Sequence, residues 1–326
     1  MNKILRRFDV LGTALFLSIF LYLTAPLPAF ATDEIYVKTF GNRSDPAVIY
    51  LHGGPGHNCY LFEAAAAETL AGKGLFVVAY DQRGCARSKT VSAKYSFDEA
   101  SDDLKNIFDK FNIKNACLIG HSFGGAVAVK FAGKYPKMVR SIVFTGAPFD
   151  YPAMFRTIIK NCRAVYEKRA AAENLAYIGA LEKSAPDSAE YAGYCFMHAI
   201  ACGLYYPKAP SSEAVELMKK ISAGKNFDLV SKSEQEPFRG FFANERYTSL
   251  NLLKNVSELP AAIGIYAIYG EDDGLFDEKS LGEIKKAVGE PRFVLLKNSS
   301  HNAFCDRRAE FCDFVRGAAI RAAGGK

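Results

Sequence analysis

The chain has 326 residues, and 49% of them are hydrophobic, which is enough to bury the core of one large domain or two. Its formal net charge is +6 at pH 7, and the lysines and arginines are scattered along the chain. This excludes the clustered basic surface of a nucleic-acid-binding protein, and no run of like charges indicates a charged tail.

The first 31 residues differ from the rest of the chain. Three basic residues precede an uncharged apolar run over residues 10–25, and Ala29-Phe30-Ala31 follows two prolines. A basic start, an apolar middle and a small-x-small ending are typical of a signal peptide, so we expect cleavage after Ala31 and export to the periplasm or the medium. The alternative is an uncleaved anchor, because residues 10–31 carry no charge and could almost span a bilayer. Membrane contact is expected only through this segment.

Strand and helix patterns alternate from residue 34 to residue 147. Strands are predicted at Ile35–Phe40, Ala47–Leu51, Leu75–Tyr80, Ala116–Ile119 and Ser141–Thr145. Helices are predicted between them at Phe62–Ala71, Phe97–Phe111 and Gly125–Lys134. Ser96 and Glu99 form a capping box at the start of the second helix. This alternation indicates a parallel sheet with helices on its faces.

The alternation stops at Pro148 and resumes near residue 260. Residues 148–259 are mostly helical in pattern and contain no strong strand candidate. The later elements are a strand, a helix, a strand and a final helix, predicted at Ile263–Tyr269, Lys279–Val288, Arg292–Leu296 and after Asp306. The sequence therefore predicts an α/β core over residues 32–147 and 260–326, with a helical insert over 148–259 before the last strands.

A candidate nucleophile follows the fourth strand. Ala116–Ile119 runs into Gly120-His121-Ser122-Phe123-Gly124, and a helix begins at once. A G-x-S-x-G sequence between a strand and a helix is typical of a nucleophile elbow, a strained turn that lifts the serine hydroxyl above the sheet. A serine that only caps the helix is the alternative, but it would not explain glycines on both sides. We therefore predict that Ser122 is a catalytic nucleophile.

A serine nucleophile needs a base and an acid. Four of the five histidines lie in a glycine-rich loop, in the elbow or in the insert, at His52, His57, His121 and His198. His301 follows the last strand in a polar loop, so it is the predicted base. The acid is expected between Ser122 and His301 in chain order. Glu271, Asp272 and Asp273 follow the sixth predicted strand, and residue chemistry alone leaves all three open.

The glycine-rich loop Leu51-His52-Gly53-Gly54-Pro55-Gly56 follows directly on the second strand. A cluster of glycine and proline is most often only a tight turn. A serine hydrolase, however, binds its developing oxyanion with two backbone N–H groups, one from the residue after the nucleophile and one from a loop after an early strand. We therefore predict an oxyanion hole formed by the N–H groups of Phe123 and Gly54.

Three stretches carry a family signal: His52-Gly53-Gly54-Pro55-Gly56, Asp81-Gln82-Arg83-Gly84-Cys85-Ala86-Arg87-Ser88 and the Ser122 elbow. Together they resemble the proline iminopeptidase branch of the α/β-hydrolase fold. The resemblance covers most of residues 45–147 and 260–320 and weakens through the insert. It implies a mostly parallel sheet of the α/β-hydrolase type, an oxyanion hole in the glycine loop, and a helical cap, formed by the insert, over the site. In that branch the acid is the third residue after the strand-ending glycine, which selects Asp273.

The chain departs from typical iminopeptidases in three ways. Phe123 stands where they have tryptophan, and this chain has no tryptophan. Ala86 replaces the second glycine of their DQRGxGxS motif. Their cap motif, with an amine-binding glutamate before an aromatic pair, is not recognisable. The resemblance therefore implies the fold and the serine chemistry, but not specificity for proline.

These observations predict an exported serine hydrolase that cleaves small-molecule or short-peptide amides or esters through an acyl-enzyme, with no metal or organic cofactor. An iminopeptidase-like aminopeptidase and a carboxylesterase or lactonase of the same fold are the two alternatives. A further alternative, of another class, is a receptor that binds a small molecule on a hydrolase fold. The full set of serine, acid and histidine argues against a receptor, since binding alone needs none of them.

An aminopeptidase must also bind the α-ammonium group of its substrate, and a buried cation requires a carboxylate partner. Glu245 is the candidate, because it follows the pair Phe241-Phe242 shortly before the chain returns to the sheet. Asn244-Glu245 also resembles a segment of some iminopeptidase relatives. The alternative is an exposed glutamate at the start of the next helix.

All eight cysteines lie after residue 31, so export would permit disulfides. Their spacings match no zinc-binding pattern, and no metal site is predicted. Cys195–Cys202 and Cys305–Cys312 are pairs seven residues apart, roughly 10 Å along a straight helix and beyond the ~7 Å limit between bridged Cα atoms. We therefore expect that neither pair forms a disulfide if the residues between its two cysteines form a continuous helix.

Overall fold

The computed structural model describes residues 34–321. Seven strands in this part of the chain form one sheet: β1 Val37–Phe40, β2 Ala47–Leu51, β3 Phe76–Tyr80, β4 Ala116–His121, β5 Val139–Thr145, β6 Gly264–Gly270 and β7 Phe293–Leu296. The strand order is β1-β3-β2-β4-β5-β6-β7, and every neighbouring pair is parallel except β1 with β3. The predicted signal peptide over residues 1–31 lies outside the described residues.

Helices connect the strands. Before the insert they are α1 Tyr60–Phe62, α2 Glu68–Gly72, α3 Phe97–Lys110 and α4 Gly124–Lys134. Between β5 and β6 they are α5 Tyr151–Lys168, α6 Ala172–Leu181, α7 Ala189–Cys202, α8 Ser212–Ser222, α9 Asp228–Ser231, α10 Gln235–Glu245 and α11 Leu253–Ser257. After β6 they are α12 Glu278–Val288, α13 Ala303–Asp306 and α14 Arg308–Ile320. This architecture confirms the predicted fold class.

The sheet is buried on both faces. Along β2, Ile49 and Leu51 belong to one apolar core, whereas Val48 and Tyr50 belong to the other. All four are nearly inaccessible to solvent, because successive side chains of a strand point to opposite faces and helices cover each face. The strand therefore has a continuous apolar sequence rather than an alternating one.

Two local predictions need correction. The predicted helix Phe62–Ala71 begins at Tyr60 and ends at Gly72, and a π turn over Glu63–Ala67 separates α1 from α2. A run of alanines carries no signal for that turn, since alanine fits any helical conformation. The predicted capping box is half formed, because Ser96 Oγ accepts the N–H of Glu99 at 3.2 Å while the Glu99 carboxylate binds the N–H groups of Lys94 and Tyr95 instead.

The insert leaves and rejoins the sheet at neighbouring points. Asp150 and Asn251 form an isolated antiparallel bridge, and the N–H of Tyr151 donates to the carbonyl of Leu250 at 3.0 Å. No helix within residues 34–321 combines the length and apolarity needed to cross a bilayer.

All eight cysteines are buried and free. Cys195 and Cys202 both lie on the unbroken helix α7, where the predicted obstacle to a bridge applies. Cys305 and Cys312 lie on α13 and α14, which are separated at Arg307, so the argument from helix length does not extend to them.

Candidate active site

Ser122 lies at the turn between β4 and α4. Its φ of +52° is in the left-handed region, which a non-glycine residue adopts only where its surroundings enforce it. The N–H of Ser122 donates to the carbonyl of Thr145 on β5 at 3.0 Å, and the Ser122 carbonyl accepts the N–H of Gly125 at 2.9 Å. The residue is half-buried. The turn thus holds a reachable hydroxyl beside the positive end of α4.

Two glycines of the elbow are required by close approaches. A Cβ atom on Gly124 would collide with the carbonyl oxygen of Leu51 on β2. A Cβ atom on Gly120 would lie 2.7 Å from the Cα atom of Gly125. Both contacts are too short for a side chain, so glycine allows α4 to pack tightly against β2 and β4.

The glycine loop after β2 lies against the elbow. A Cβ atom on Gly53 would lie only 2.7 Å from Ser122 Cβ. Within residues 34–321, the N–H groups of Gly54 and Phe123 donate no hydrogen bond to another protein group. Phe123 immediately precedes α4, where N–H groups have no partner within the helix. Both predicted oxyanion donors are therefore available to a ligand.

His52 fixes the conformation of the glycine loop. The N–H of Gln82 donates to His52 Nε2 at 2.9 Å, so the proton lies on Nδ1, which donates to the carbonyl of Gly53 at 2.8 Å. The Gln82 side chain also donates to the His52 carbonyl at 3.0 Å. Burial lowers the pKa of His52, which keeps the ring neutral. These bonds connect the loop after β3 to the loop after β2.

A buried ionic cluster anchors the chain that leaves the glycine loop. Asp81, which follows β3, accepts the N–H of Cys59 at 2.9 Å and Arg87 Nε at 2.7 Å. Arg87 Nη2 also donates to Glu63 on the π turn at 2.9 Å. Burial tends to raise the pKa of Asp81, but the hydrogen bonds and charge of Arg87 outweigh it and lower the pKa. The segment Asp81-Gln82-Arg83-Gly84 therefore stabilises the conformation of the glycine loop and of the chain that follows it.

An acid and a base meet at the ends of β6 and β7. His301 Nδ1 lies 2.8 Å from Asp273 Oδ2, and the two residues are only 5% and 4% exposed. Asp272 instead binds Lys208 of the insert at 3.1 Å, and Glu271 is exposed. Of the three candidate acids, Asp273 is therefore the one that can orient the imidazole and stabilise its protonated form.

The loop that carries His301 packs against the elbow. His121 Nε2 lies 3.2 Å from the His301 carbonyl oxygen, and the centres of the two rings are 5.0 Å apart. Gly146, after β5, makes room for the base, because a Cβ atom there would lie 2.9 Å from His301 Nδ1. Among residues 34–321, no hydrogen bond joins the Ser122 hydroxyl to His301. A catalytic hydrogen bond often tightens only when substrate binds.

Aromatic side chains surround the site. Phe123 contacts the rings of Phe97, Phe241 and Tyr247 at centroid distances of 5.7, 4.8 and 5.4 Å. Tyr205 of the insert meets the His301 ring edge-on at 4.9 Å. Phe241, Tyr247 and Tyr205 all come from the insert, so it supplies most of the apolar wall. No sequence motif marks Tyr205 as a residue of the site, so the sequence alone did not predict this contact.

Two glutamates of the insert, Glu245 and Glu234, have different surroundings. Glu245 Oε1 accepts the N–H of Phe97 at 2.8 Å and so caps the first turn of α3. The sequence did not predict this bond. Glu234 contacts the glycine loop, because its N–H donates to the carbonyl of Gly56 at 2.9 Å. Glu234 Oε1 is buried without a hydrogen bond. Within residues 34–321, no three His, Cys, Asp or Glu side chains are grouped to hold a metal ion.

Comparison with known proteins agrees with this fold. A family model described as "alpha/beta hydrolase fold" matches residues 46–307. The proline iminopeptidase of Saccharolobus solfataricus is 30% identical over 167 residues, which cover 45% of this chain and 52% of that protein. The chain spans about a third to a half of the length of several curated relatives that it matches.

Solved structures share the fold over most of the chain. A proline iminopeptidase-related protein of Thermus thermophilus superposes with a TM-score of 0.66 at 19% identity, covering 89% of this chain and 94% of that one. Est816, described as an N-acyl homoserine lactone degrading enzyme, superposes with a TM-score of 0.59 at 18% identity, covering 87% and 96%. These likenesses confirm the predicted resemblance in fold to the iminopeptidase branch.

Proposed function

The chain belongs to the alpha/beta hydrolase fold family, and from this premise we propose that it is an exported serine hydrolase that cleaves small amide or ester substrates through an acyl-enzyme. Ser122 is the nucleophile, His301 the base and Asp273 the acid. The N–H groups of Gly54 and Phe123 form the oxyanion hole.

The mechanism follows from these roles. His301 Nε2 takes the proton of Ser122 Oγ while the oxygen attacks the substrate carbonyl, and Asp273 stabilises the imidazolium. The two N–H donors bind the oxyanion of the tetrahedral intermediate. The imidazolium then protonates the leaving amine or alcohol, and the acyl group remains on Ser122. His301 next activates a water molecule that hydrolyses the ester and frees the serine.

One observation carries the proposal, namely the 2.8 Å contact of the buried Asp273 carboxylate with His301 Nδ1. The contact supports general-base catalysis, because it leaves Nε2 of the ring for proton transfer to and from a serine. It also argues against a receptor. Binding a small molecule does not require a carboxylate and an imidazole to be buried together near a strained serine.

The proposed mechanism is the same for an amide and for an ester, so the substrate can belong to either class. The match to the Saccharolobus iminopeptidase favours an aminopeptidase that takes small aminoacyl amides. The aromatic wall around Phe123 is equally suited to an apolar acyl group, which favours a carboxylesterase or lactonase. A panel of aminoacyl arylamides and short acyl nitrophenyl esters separates the two. At least a roughly tenfold higher kcat/KM for one class assigns the protein to it.

Export is part of the proposal, and it depends on the basic, apolar and small-x-small pattern of residues 1–31. Expression with an intact N-terminus, followed by sequencing of the mature protein, tests it. Thr32 at the N-terminus of protein recovered outside the cytoplasm supports export. A full-length protein recovered with the membrane supports the anchor instead.

The serine mechanism is tested with a fluorophosphonate probe and the Ser122→Ala variant. The wild type should be labelled at Ser122, and the variant should lose labelling and at least about 10,000-fold in kcat. Ser299→Ala is the matched control, because the Ser299 hydroxyl is buried without a hydrogen bond and its loss breaks none. Equal labelling of the wild type and Ser122→Ala would exclude Ser122 as the nucleophile.

A further inference from the structure

The insert contains a cluster of three buried cysteines that are not part of the proposed triad. Cys162 lies on α5, and Cys195 and Cys202 lie on α7. The two helices pack together through aromatic contacts, with Phe155 of α5 5.3 Å from Phe196 of α7 between ring centres. Cys162 and Cys195 are inaccessible to solvent, whereas Cys202, the last residue of α7, is 7% exposed.

Two of these three thiols are placed to react with each other. Cys202 Sγ lies 3.9 Å from the carbonyl oxygen of Cys162, which places the two thiols close enough that each shifts the pKa of the other. The pKa of Cys195 is instead affected by Tyr191, one turn earlier on the same helix. Cys195 is also separated from Cys202 by seven residues of continuous helix, roughly 10 Å. The two neighbouring thiols therefore belong to different helices, 40 residues apart in the chain.

The surroundings of Cys202 favour its thiolate. Its pKa is lowered, first by its interaction with the Cys162 thiol and further by Tyr166 and the charge of Arg169, which together outweigh the opposing effect of burial. Arg169 is held close, because its Nη1 donates to the carbonyl of Ala201 at 3.2 Å. Cys202 is therefore the least buried of the three cysteines and the more acidic thiol of the pair, and both properties favour its reaction with an oxidant over that of Cys162.

We propose that Cys162 and Cys202 are a redox-sensitive pair that hydrogen peroxide converts into a disulfide joining α5 to α7. The Cys202 thiolate attacks one peroxide oxygen, the O–O bond breaks, and hydroxide leaves, which gives a sulfenic acid on Cys202. The Cys162 sulfur then attacks the Cys202 sulfur, the S–O bond breaks, and water leaves with the Cys162 proton. Two thiols lose two electrons, and one peroxide becomes two water molecules.

The disulfide would connect the two segments that hold the turn at Asp273 and Gly274. Asn161, next to Cys162, donates its side-chain N–H to the carbonyl of Gly274 at 2.8 Å. The N–H of Gly274 donates in turn to the carbonyl of Leu204, two residues after Cys202, at 2.9 Å. Gly274 follows Asp273 directly, so the cross-link ties together both supports of the proposed catalytic acid.

The expected effect is stabilisation. A bridge between residues 162 and 202 closes a loop of about 40 residues, which constrains the unfolded chain and should raise the melting temperature by on the order of 5 °C. The temperature of half-inactivation should rise by a similar amount. This second readout rests on the proposed hydrolase function, whereas the covalent product and the melting temperature do not.

The experiment compares the reduced protein with protein treated with equimolar hydrogen peroxide, by peptide mapping without reductant and by thermal melting. Trypsin leaves Cys195 and Cys202 together in residues 184–208, so the Cys195→Ala variant identifies the partner. We expect residues 161–163 linked to residues 184–208 in the wild type and in Cys195→Ala, with the melting shift in both. Cys202→Ser and Cys162→Ser should show neither.

Three results would overturn the proposal. One is peroxide treatment that adds oxygen to Cys202 without a linked peptide. Another is a link that disappears in Cys195→Ala. The third is a melting shift that persists in Cys202→Ser. If the linked peptide forms and the melting temperature rises while no ester or arylamide is hydrolysed, the redox pair stands and the proposed hydrolase function fails.

Discussion

Two regions of the molecule meet around Ser122, and they hold their residues in different ways. At the ends of β2 and β4, backbone contacts fix the geometry, as in the +52° φ of Ser122 and the close approach of Gly53 to it. In the helical insert, single side chains such as Tyr205 and Phe241 reach the site from separate segments. From this difference we expect the proposed reaction to depend on the strand ends and the choice of substrate to depend on the insert.

Replacement of Asp273 tests the strand ends most severely. Asp273→Asn should lower kcat by about 1,000- to 10,000-fold, because an amide can hold His301 in the wrong tautomer and cannot stabilise an imidazolium. Asp272→Asn, which removes the charge facing the largely exposed Lys208 and leaves the contact of Asp273 with His301 in place, should stay within about threefold of the wild type. Steady-state kinetics of both variants decide the matter. A larger loss in Asp272→Asn would show that the acid is assigned one residue too late.

The backbone constraint is tested by adding a methyl group to the glycine loop. Gly53→Ala places a Cβ atom 2.7 Å from Ser122 Cβ, so the nucleophile or the loop must shift, and kcat should fall about 100-fold. Gly133→Ala on α4 is the matched control, since its Cβ atom would meet nothing within 4 Å. That variant should keep its kcat and gain up to about 1 kcal/mol in the free energy of unfolding. Equal activities of the two variants would contradict the close contact.

A half-buried carboxyl group, Asp306, lies near His301 and gives the strand ends a pH-dependent stability. Burial raises the pKa of Asp306 to about 6, and the neighbouring carboxylates of Asp273 and Asp272 add to this, while the Ser300 N–H and His301 oppose it. The folded state therefore binds the proton more tightly than the unfolded chain, in which the pKa is near 3.9. This contribution to stability is present below about pH 4 and is lost as the pH rises to about 6.

Asp306→Asn removes that titration and keeps an oxygen that accepts the Ser300 N–H. Relative to the wild type, its free energy of unfolding should rise by up to about 3 kcal/mol between pH 4 and pH 7. Urea unfolding of both proteins at the two pH values measures the change. A difference in stability that is the same at both pH values would exclude a raised pKa in the folded state.

The smallest expected effect concerns the insert. If Glu245 binds a substrate ammonium group, Glu245→Gln should raise KM for aminoacyl arylamides about tenfold and leave acyl esters unchanged, since only the former carry the cation. Glutamine keeps an oxygen for the Phe97 N–H, so the cap of α3 is preserved. An equal effect on both substrates, or none on either, would assign Glu245 to the cap alone and leave the amine-binding hypothesis without support.

The sequence was most informative where geometry is local. The five residues Gly120-His121-Ser122-Phe123-Gly124 predict the elbow together with the strand before them and the helix after them, because all three are contiguous in the chain. The choice of Asp273 over Asp272 required a family resemblance, since adjacent carboxylates differ only in where the turn directs them. The contacts of Tyr205 with His301 and of Glu245 with Phe97 join residues 96 and 148 positions apart. No local pattern encodes such pairs, so only the folded chain reveals them.

The proposed acyl-enzyme can be observed directly by mixing the protein with a short acyl nitrophenyl ester, quenching it within milliseconds and measuring intact and peptide masses. The account predicts a burst of one equivalent of nitrophenol, with the acyl group on the tryptic peptide 115–130 at Ser122, and slower build-up in Asp273→Asn. Turnover without an acyl group on Ser122, or with the acyl group on another residue, would contradict the assignment of Ser122 as the nucleophile.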